Sequence, residues 1–270
     1  MVDPSDVIVV TGAASGMGRA CAHRFAGRAR LVLVDLDPAA VDAVAAGTGG
    51  HPFAADVTSA ARVAELAAFV ASTGRFRALV HAAGISPTMA EPARIFDVDL
   101  RGTALLLDAF DRLVVPGSVA VCFASIAASI STGGGDPAID AVLDDPLAAD
   151  LVARLGALAH SPLDDPALAY GWAKRGVVRL ARRTAVDWGP RGGRVVSLSP
   201  GIIDTPMAAQ EAAVQPMMSF MVEHTPLRRE GRAEELAAVV DFLCSEDASY
   251  LTGVDVVVDG GVTAGLDALS

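Results

Sequence analysis

The sequence predicts a doubly wound α/β fold, in which a parallel β-sheet is covered by helices on both faces. Short runs rich in Val, Ile and Leu alternate with amphipathic helical segments, which is the pattern of parallel strands joined by right-handed crossovers. The runs at residues 7–10 and 31–34 are apolar at every position, as expected for strands that are buried on both faces. A sheet of this kind binds its ligands beyond the carboxyl ends of its strands.

Seven apolar runs are predicted to be the strands of that sheet, and helical segments separate most of them. Between residues 60 and 73, for example, apolar side chains recur at helical spacing. The chain has 270 residues, 52% of them hydrophobic, and no low-complexity stretch divides it, so residues 1–270 are predicted to form one domain. The predicted strands are residues 7–11, 31–35, 52–55, 78–81, 118–124, 194–199 and 255–258.

A long connection separates the fifth predicted strand from the helix that follows it. Residues 126–169 are too many for an ordinary loop, so we predict a helical insertion at about residues 129–166. Within it, Asp144, Asp145 and Pro146 resemble a helix start, and leucines follow at helical spacing between positions 147 and 158. The insertion is acidic, which fits either a solvated helical excursion or an interface or lid.

The composition excludes several classes of function. The formal net charge is −11 without a basic stripe, so no nucleic-acid partner is predicted. No apolar run is long enough to span a bilayer, and the acidic first residues do not resemble an export signal, so neither a membrane partner nor export is expected. Cys21, Cys122 and Cys244 lie in apolar patterns and are predicted to be buried thiols in a reducing cytoplasm.

The first predicted strand runs into a glycine-rich turn, Thr11-Gly12-Ala13-Ala14-Ser15-Gly16-Met17-Gly18, followed by a predicted helix from about residue 16 to residue 26. Glycines here permit a tight turn and let the backbone approach a pyrophosphate, whose charge the helix N-terminus stabilises. A glycine triplet alone is weak evidence, but its position between the first strand and a helix strengthens it.

The second predicted strand ends in Asp35, and this residue bears on the choice of cofactor. A carboxylate there accepts hydrogen bonds from the adenosine ribose hydroxyls and repels a 2′-phosphate. Ser15 and Leu36, the neighbouring positions, supply no compensating cation, and Arg19 is expected to point along the helix. The predicted cofactor is therefore NAD.

Lys174 is the only lysine of the chain, and it follows Tyr170, one of two tyrosines, by four positions. Because arginine replaces lysine everywhere else, this site is predicted to need a compact, mobile ammonium group. On a helix the two side chains lie on one face. Lys174 and an oxidised nicotinamide are expected to lower the pKa of Tyr170, so that the phenol can act as a general base or acid.

Together these motifs resemble the short-chain dehydrogenase/reductase family, from about residue 7 to residue 261. The turn at residues 11–18 matches the family signature T-G-x-x-x-G-x-G, and Tyr170 with Lys174 matches Y-x-x-x-K. Further matches, in the family's order along the chain, are Asp56-Val57, His81-Ala82-Ala83-Gly84, Ser125, Pro200-Gly201, Thr205, Thr252-Gly253 and Val258-Asp259-Gly260-Gly261.

The resemblance implies an oxidoreductase that transfers a hydride between NAD and a secondary alcohol or ketone. Tyr170 would be the general acid and base, Ser125 would hydrogen-bond the substrate oxygen, and Lys174 would also bind the nicotinamide ribose. Asp99 would occupy the family's fourth catalytic position. The cofactor-binding residues that the resemblance implies are Gly12, Ser15, Gly16, Met17, Gly18, Asp35, Leu36, Asp56, Val57, Ala82, Ala83, Gly84, Tyr170, Lys174, Pro200, Gly201, Ile203 and Thr205.

Two positions depart from the family pattern. His81-Ala82 replaces two asparagines, which is expected to change hydrogen bonds in the sheet more than the chemistry. Asp99 stands where the family usually has Asn, and an ionised Asp accepts hydrogen bonds but donates none. Since the family relays a proton through the backbone carbonyl at this position, activity is expected to survive the change.

The long insertion most resembles the bacterial 3α-hydroxysteroid dehydrogenase/carbonyl reductase branch. This implies a hydrophobic alcohol or ketone as substrate, hydroxysteroids among them, and a homodimer or homotetramer with an altered assembly face. Residues 204–227 are predicted to cross the substrate site, either as an apolar lid or as a core-packing helix pair. The apolar side chains expected to face the substrate there are Met207, Met217, Met218, Phe220 and Met221.

Two other classes of protein remain as alternatives. An NAD-binding sensor without turnover would not need Ser125, Tyr170 and Lys174 together. A methyltransferase on the same kind of sheet is disfavoured by Asp35 in combination with Y-x-x-x-K. The histidines at positions 23, 160 and 224 share no metal-ligand spacing with Cys or acidic residues, so no metal site is predicted.

Overall fold

The computed structural model describes residues 5–212 and 216–269. Its centre is a seven-stranded sheet in which all neighbouring strands pair in parallel. The strands are β1 (Asp6–Thr11), β2 (Arg30–Asp35), β3 (His51–Ala54), β4 (Arg75–His81), β5 (Val119–Phe123), β6 (Arg194–Pro200) and β9 (Asp255–Val258). Their order across the sheet, β3-β2-β1-β4-β5-β6-β9, is that of a doubly wound fold. The predicted fold class and the seven predicted strands are confirmed.

Helices lie along both faces of the sheet and form the connections between its strands. They are α1 (Gly16–Phe25), α2 (Pro38–Thr48), α3 (Ala60–Thr73), α4 (Pro92–Ile95), α5 (Gly102–Asp111), α6 (Ala127–Ile130), α7 (Pro137–Leu143), α8 (Leu151–Gly156), α9 (Pro166–Trp188), α10 (Pro206–Ala212), α11 (Pro216–His224), α12 (Ala233–Leu243) and α13 (Val262–Asp267). A π-helical turn at Phe96–Arg101 joins α4 to α5. The short strands β7 (Ile203–Asp204) and β8 (Gly231–Arg232) form a separate parallel pair.

The core has one layer on each face of the sheet, and β1 contributes to both. Val7 and Val9 pack into the layer formed with α3, α5 and α9. Ile8 and Val10 pack into the layer formed with α1, α2 and α12. All four side chains are completely buried. This explains why the strand is apolar at every position.

The insertion folds differently from its predicted start at Asp144. Asp136 caps α7 by accepting hydrogen bonds from the backbone amides that follow it, while Asp144 lies at the C-terminal end of that helix. The next helix, α8, begins only at Leu151. The reason is electrostatic, because the Asp144 carboxylate binds Arg179 of α9 at 2.6 Å instead of capping a helix. The predicted helix start at residues 144–146 is therefore wrong.

One side of the insertion is packed onto α9, and the other side is exposed. Ile139, Leu143 and Leu151 form a third buried cluster with Trp172 of α9 and with the π-helical turn. A row of arginines on α9 meets the acidic residues of α7, with contacts of 2.7 Å for Arg175–Asp140 and 3.0 Å for Arg179–Asp140. Two acids of the insertion, Asp140 and Asp144, therefore pair with α9, whereas Asp145 and Asp150 are exposed. Whether the insertion is a solvated excursion or serves as an interface or lid stays a prediction.

The predicted lid at 204–227 contains β7, α10 and α11, while positions 213–215 lie outside the described residues. Helix α11 packs against α13 near the protein surface, with Met217 and Phe220 exposed.

The three cysteines are unpaired and buried, and burial raises the pKa of Cys122 and of Cys244 to about 12. Within residues 5–212 and 216–269, no helix is long and apolar enough to cross a membrane, and no cluster of metal-ligating side chains is present.

Candidate active site

The glycine-rich turn brings the end of β1 into backbone contact with the loop that follows β4. Gly12 has φ 66°, and a Cβ atom at this position would lie 2.8 Å from the amide nitrogen of Ala83. A Cβ atom at Gly18 would lie 2.1 Å from the carbonyl oxygen of Gly12. Glycine is therefore required at both positions. The N-terminus of α1 has no side-chain cap at Ser15, so its amide groups are available to an anionic ligand.

A cleft of about 440 Å³ opens beside this turn and fits the dinucleotide that the sequence predicts. Asp35 lies on its wall, where its carboxylate accepts hydrogen bonds from the amides of Ala14 at 2.9 Å and Leu36 at 2.8 Å. The predicted cofactor residues that line the cleft are Gly12, Ser15, Gly16, Met17, Gly18, Asp35, Leu36, Asp56, Val57, Ala82, Ala83, Gly84 and Thr205. The bare glycine backbone, the uncapped helix and the fixed carboxylate match a pyrophosphate and a ribose.

Arg94 lies in the same cleft and was missed by the sequence analysis. Its guanidinium donates to Asp56 Oδ2 at 2.9 Å and to Thr58 Oγ1 at 3.1 Å. Burial works to raise the pKa of Asp56, but hydrogen bonds from Thr58 and Arg94 outweigh it and lower the pKa. Arg94 and Asp56 are far apart in sequence and match no motif as a pair, so only the fold shows that they meet.

Arg19, the cation nearest to the glycine turn in sequence, does not line this cleft. It borders a separate depression with Arg24 and Arg232. The residues of α1 that border this depression with Arg19 are Gly16, Ala20, His23 and Arg24, so it runs along the helix as Arg19 was expected to do.

Tyr170 and Lys174 lie one helical turn apart on α9, whose start is fixed by Asp165. The Asp165 carboxylate caps the helix by accepting from the amide of Ala167 at 2.8 Å. The Tyr170 side chain shares a cavity wall with Ser125, which follows β5 and acts to lower the pKa of the phenol. Lys174 is buried, and its ammonium lies 5.5 Å from the centre of the Tyr170 ring. The fold therefore brings together the three residues predicted to carry the chemistry.

Asp99 forms a buried ion pair with Lys174. Its Oδ1 lies 3.4 Å from the lysine Nζ and accepts a hydrogen bond from the amide of Ile85 at 3.0 Å. Its Oδ2 is buried and has no hydrogen-bond partner among the described residues. Lys174 also donates to the carbonyl oxygen of Phe123 at 3.2 Å. The π-helical turn that carries Asp99 is an element often found at functional sites.

The Asp99–Lys174 ion pair affects the pKa of the Tyr170 phenol. Burial raises the pKa of Tyr170, Lys174 lowers it, and Asp99 raises it again, so that the net direction is upward. Burial works to lower the pKa of Lys174, but the neighbouring Asp99 and Tyr170 bring it above its usual range. Burial also raises the pKa of Asp99 against the effect of Lys174. The predicted lowering by Lys174 is present, but the prediction of a lowered Tyr170 pKa is not met by this chain's own residues.

His81 joins the glycine turn to the segment that carries Asp99. Its Nδ1 lies 2.7 Å from Thr11 Oγ1, and its Nε2 lies 2.9 Å from Thr103 Oγ1. Thr103 gives its hydroxyl proton to the carbonyl oxygen of Asp99 at 2.6 Å, so His81 Nε2 must be the donor to Thr103. Burial lowers the pKa of His81 to about 3, which keeps the ring neutral. The two departures from the family pattern are therefore linked through Thr103.

A second cavity of about 390 Å³ lies on the other side of Tyr170 and adjoins the cofactor cleft at Met17, Thr205 and Met207. Ser125 and Tyr170 face it. The predicted lid side chains Met207, Met217, Met218 and Met221 also line it, together with Pro200, Gly201 and Ile203, which had been expected to bind the cofactor. Phe220 is not part of its wall, because the ring stacks on His224 at 4.0 Å.

A glycine-lined cleft that adjoins a cavity carrying Ser125 and Tyr170, with Lys174 buried beside the phenol, is the arrangement of a nicotinamide-dependent oxidoreductase of the Rossmann type. A family model described as enoyl-(acyl carrier protein) reductase matches residues 12–141 and 153–263 of this chain. The chain belongs to the short-chain dehydrogenase/reductase family.

Three relatives illustrate the match. An uncharacterised short-chain type dehydrogenase/reductase of Sinorhizobium fredii is 33% identical over 96% of this chain, which spans only 44% of that protein. D-threitol dehydrogenase of Mycolicibacterium smegmatis is 31% identical over 95% of this chain and 92% of its own length. The solved structure of a glucose/ribitol dehydrogenase from Brucella melitensis is 30% identical, with a TM-score of 0.75 over 97% of this chain and 98% of that one.

Proposed function

We propose that this protein is an NAD-dependent dehydrogenase/reductase that interconverts a hydrophobic secondary alcohol and its ketone. The observation that carries the proposal is a methionine-lined cavity that adjoins the dinucleotide cleft and has Ser125 and Tyr170 on its wall. Lys174 lies buried beside the Tyr170 ring. A substrate carbon in that cavity would lie between the phenol and the cleft.

The residues of the site divide the proton chemistry among them. In alcohol oxidation the Tyr170 oxygen takes the hydroxyl proton, and in ketone reduction it returns a proton to the carbonyl oxygen. Ser125 hydrogen-bonds the same substrate oxygen while its charge changes. Lys174 stabilises the phenolate electrostatically. Bound NAD supplies the hydride acceptor, and NADH the donor.

The preference for NAD is supported by the fixed position of Asp35. Its carboxylate is held by two backbone amides at the place where a 2′-phosphate would approach, and repulsion between the like charges would disfavour NADP. Leu36 is exposed beside it and supplies no cation, while Arg19 lines a different depression.

We also propose a substrate class and an oligomeric state for this protein. The methionine-lined cavity supports a substrate with apolar carbon around the reacting group, such as a hydroxysteroid, and the insertion supports the resemblance to the 3α-hydroxysteroid dehydrogenase/carbonyl reductase branch. We further propose a cytoplasmic homodimer or homotetramer.

The experiment that tests the function follows reduced nicotinamide by absorbance, with NAD and NADP, over hydroxysteroids, cyclic secondary alcohols and sugar alcohols. Turnover with NAD and with at least one apolar alcohol is expected. NAD binding with no turnover of any alcohol would contradict the enzyme and support the alternative of a catalytically silent NAD-binding sensor. Turnover of small polar alcohols alone would contradict the apolar cavity as the substrate site.

A further inference from the structure

The substrate cavity contains one acidic side chain that the mechanism does not use. Glu211 extends from α10 and lines the cavity together with Ser125 and Tyr170. Among the described residues that form this wall, it carries the only carboxylate, and most of the other side chains are apolar. A carboxylate among methionines loses hydration, and burial accordingly raises the pKa of Glu211.

The protein compensates that burial only in part. A hydrogen bond from Ser86 lowers the pKa of Glu211 against the effect of burial. The Ser86 hydroxyl also lies 3.0 Å from Thr88 Oγ1, in a contact where either oxygen can be the donor. A carboxylate offers about four acceptor sites on its two oxygens, of which one hydroxyl can occupy one. The remaining acceptor capacity of Glu211 lies at the wall of the cavity.

Glu211 also acts electrostatically on the catalytic phenol, because its charge raises the pKa of Tyr170. The two groups are therefore within electrostatic reach of each other across the same cavity. A substrate whose reacting hydroxyl is bound at Tyr170 would place its carbon skeleton in the cavity that Glu211 also lines.

We propose that Glu211 is a specificity-determining residue whose carboxylate accepts a hydrogen bond from a second hydroxyl group of the substrate, distant from the carbon that is oxidised. This inference rests on the proposed dehydrogenase function and narrows its substrate class to diols with apolar carbon between the hydroxyls, or the matching hydroxyketones. A hydroxyl fits the apolar wall better than an ammonium, since desolvating a charge costs far more than desolvating a neutral group. A site built to bond a hydroxyl discriminates strongly against substrates that lack it.

Two matched substrates test the proposal in the whole protein with NAD. The first is cyclohexanol, and the second is trans-cyclohexane-1,4-diol, which carries an additional hydroxyl opposite the reacting one. The kcat/KM of the wild-type protein should be at least about tenfold higher for the diol, the effect of about one hydrogen bond to a charged group. Glu211→Met should remove most of that preference, mainly through the KM for the diol, and Glu211→Gln should retain a part of it.

The control is Glu223→Gln on α11, where the carboxylate is exposed and does not line the cavity. This variant should keep the wild-type preference. If Glu211 instead only fastened the lid to Ser86, Glu211→Met would change both substrates by the same factor, and the proposal would be overturned. Equal kcat/KM for the two alcohols in the wild-type protein, or a stronger preference for trans-4-aminocyclohexanol, would overturn it as well. Inactivity towards all three alcohols, and also towards the hydroxysteroids and sugar alcohols of the panel above with NAD bound, would overturn the dehydrogenase function itself and this inference with it.

Discussion

Asp35 and Asp99, two carboxylates at the cofactor site, are held in opposite ways. Asp35 is partly exposed at the end of β2 and is fixed by backbone amides of its own neighbourhood. Asp99 is 1% exposed, and it pairs with Lys174 on a different helix. The first carboxylate meets whatever enters the cleft. The second meets only protein groups and acts on the reaction through the charge of Lys174 and the pKa of Tyr170.

For the dehydrogenase function proposed above, this difference separates two tasks within one site. A partly exposed carboxylate selects between ligands by direct contact, so its removal should change which cofactor binds. A buried carboxylate changes the proton affinity of its neighbours, so its removal should change the pH at which the enzyme works. Substitutions of Asp35, of Asp99 and of Tyr170 test this assignment of tasks.

The largest effect is expected at the phenol. Tyr170→Phe should lower kcat/KM by about a thousandfold or more, since general acid–base catalysis typically contributes 10²–10⁴-fold and the Ser125 contact is lost too. The dissociation constant of NAD, measured by fluorescence titration, should change by only a few-fold. Tyr250→Phe is the matched control, because Tyr250 is the other tyrosine of the chain and is fully exposed. Unchanged turnover in Tyr170→Phe would refute the mechanism.

The second-largest effect is expected on the preference for NAD over NADP when Asp35 is replaced. Asp35→Ser combined with Leu36→Arg should lower the preference for NAD over NADP by about a hundredfold or more, because a repulsive like charge is replaced by a cation. The measurement is kcat/KM for each cofactor at saturating alcohol. Asp37→Ser serves as control, since Asp37 caps α2 two residues away and should affect stability without altering the cofactor ratio. A ratio that stays the same in the double variant would exclude Asp35 as the selecting group.

The buried carboxylate should shift the pH profile. Asp99 raises the pKa of Tyr170, so Asp99→Asn should lower it. In alcohol oxidation Tyr170 must be deprotonated, and the rise of kcat/KM with pH should therefore move to lower pH. In ketone reduction Tyr170 must be protonated, and the fall of kcat/KM at high pH should move in the same direction.

The control for this shift is Asp97→Asn in the same π-helical turn. Asp97 is partly exposed and lies 4.0 Å from Arg101, so its substitution should leave the profile in place. An upward displacement in Asp99→Asn would mean that Lys174 loses its proton when Asp99 is neutral, which contradicts a direct effect of Asp99 on the phenol.

The features that were predicted correctly from the sequence are those determined by residues close together in the chain. The glycine turn, Asp35 and the Tyr170–Lys174 pair each depend on a short stretch of chain whose geometry follows from helix spacing or from glycine. The strands could be predicted because their apolar runs are continuous. The largest error in a predicted strand end occurs where charged residues interrupt such a run. The observed strand β4 begins at Arg75, three residues before the predicted start. Arg75 and Arg77 interrupt the apolar pattern, so the first residues of the strand were not included in the prediction.

Contacts between distant residues explain what the sequence did not show. Asp99 was found as a departure from a pattern, but its pairing with Lys174 and its effect on Tyr170 depend on how α9 packs against the π-helical turn. The same holds for Arg94 with Asp56. On the insertion, helix-start signals pointed to Asp144, whereas the acid that caps a helix there is Asp136, because Asp144 is drawn to the arginines of α9.

The contrast between a shielded and an exposed carboxylate recurs on the insertion, where the smallest effect is expected. The Asp140 side chain is 14% exposed and receives hydrogen bonds from Arg175 at 2.7 and 2.8 Å and from Arg179 at 3.0 Å. Asp140→Asn should lower the free energy of unfolding in urea by about 1–3 kcal/mol, the range for charge-assisted hydrogen bonds. Asp145 is 63% exposed and binds Arg154 at 3.2 Å, so Asp145→Asn should change that free energy by less than about 0.5 kcal/mol. Equal effects of the two substitutions would show that the arginine row does not fasten the insertion to α9, and that the buried cluster around Trp172 holds it there alone.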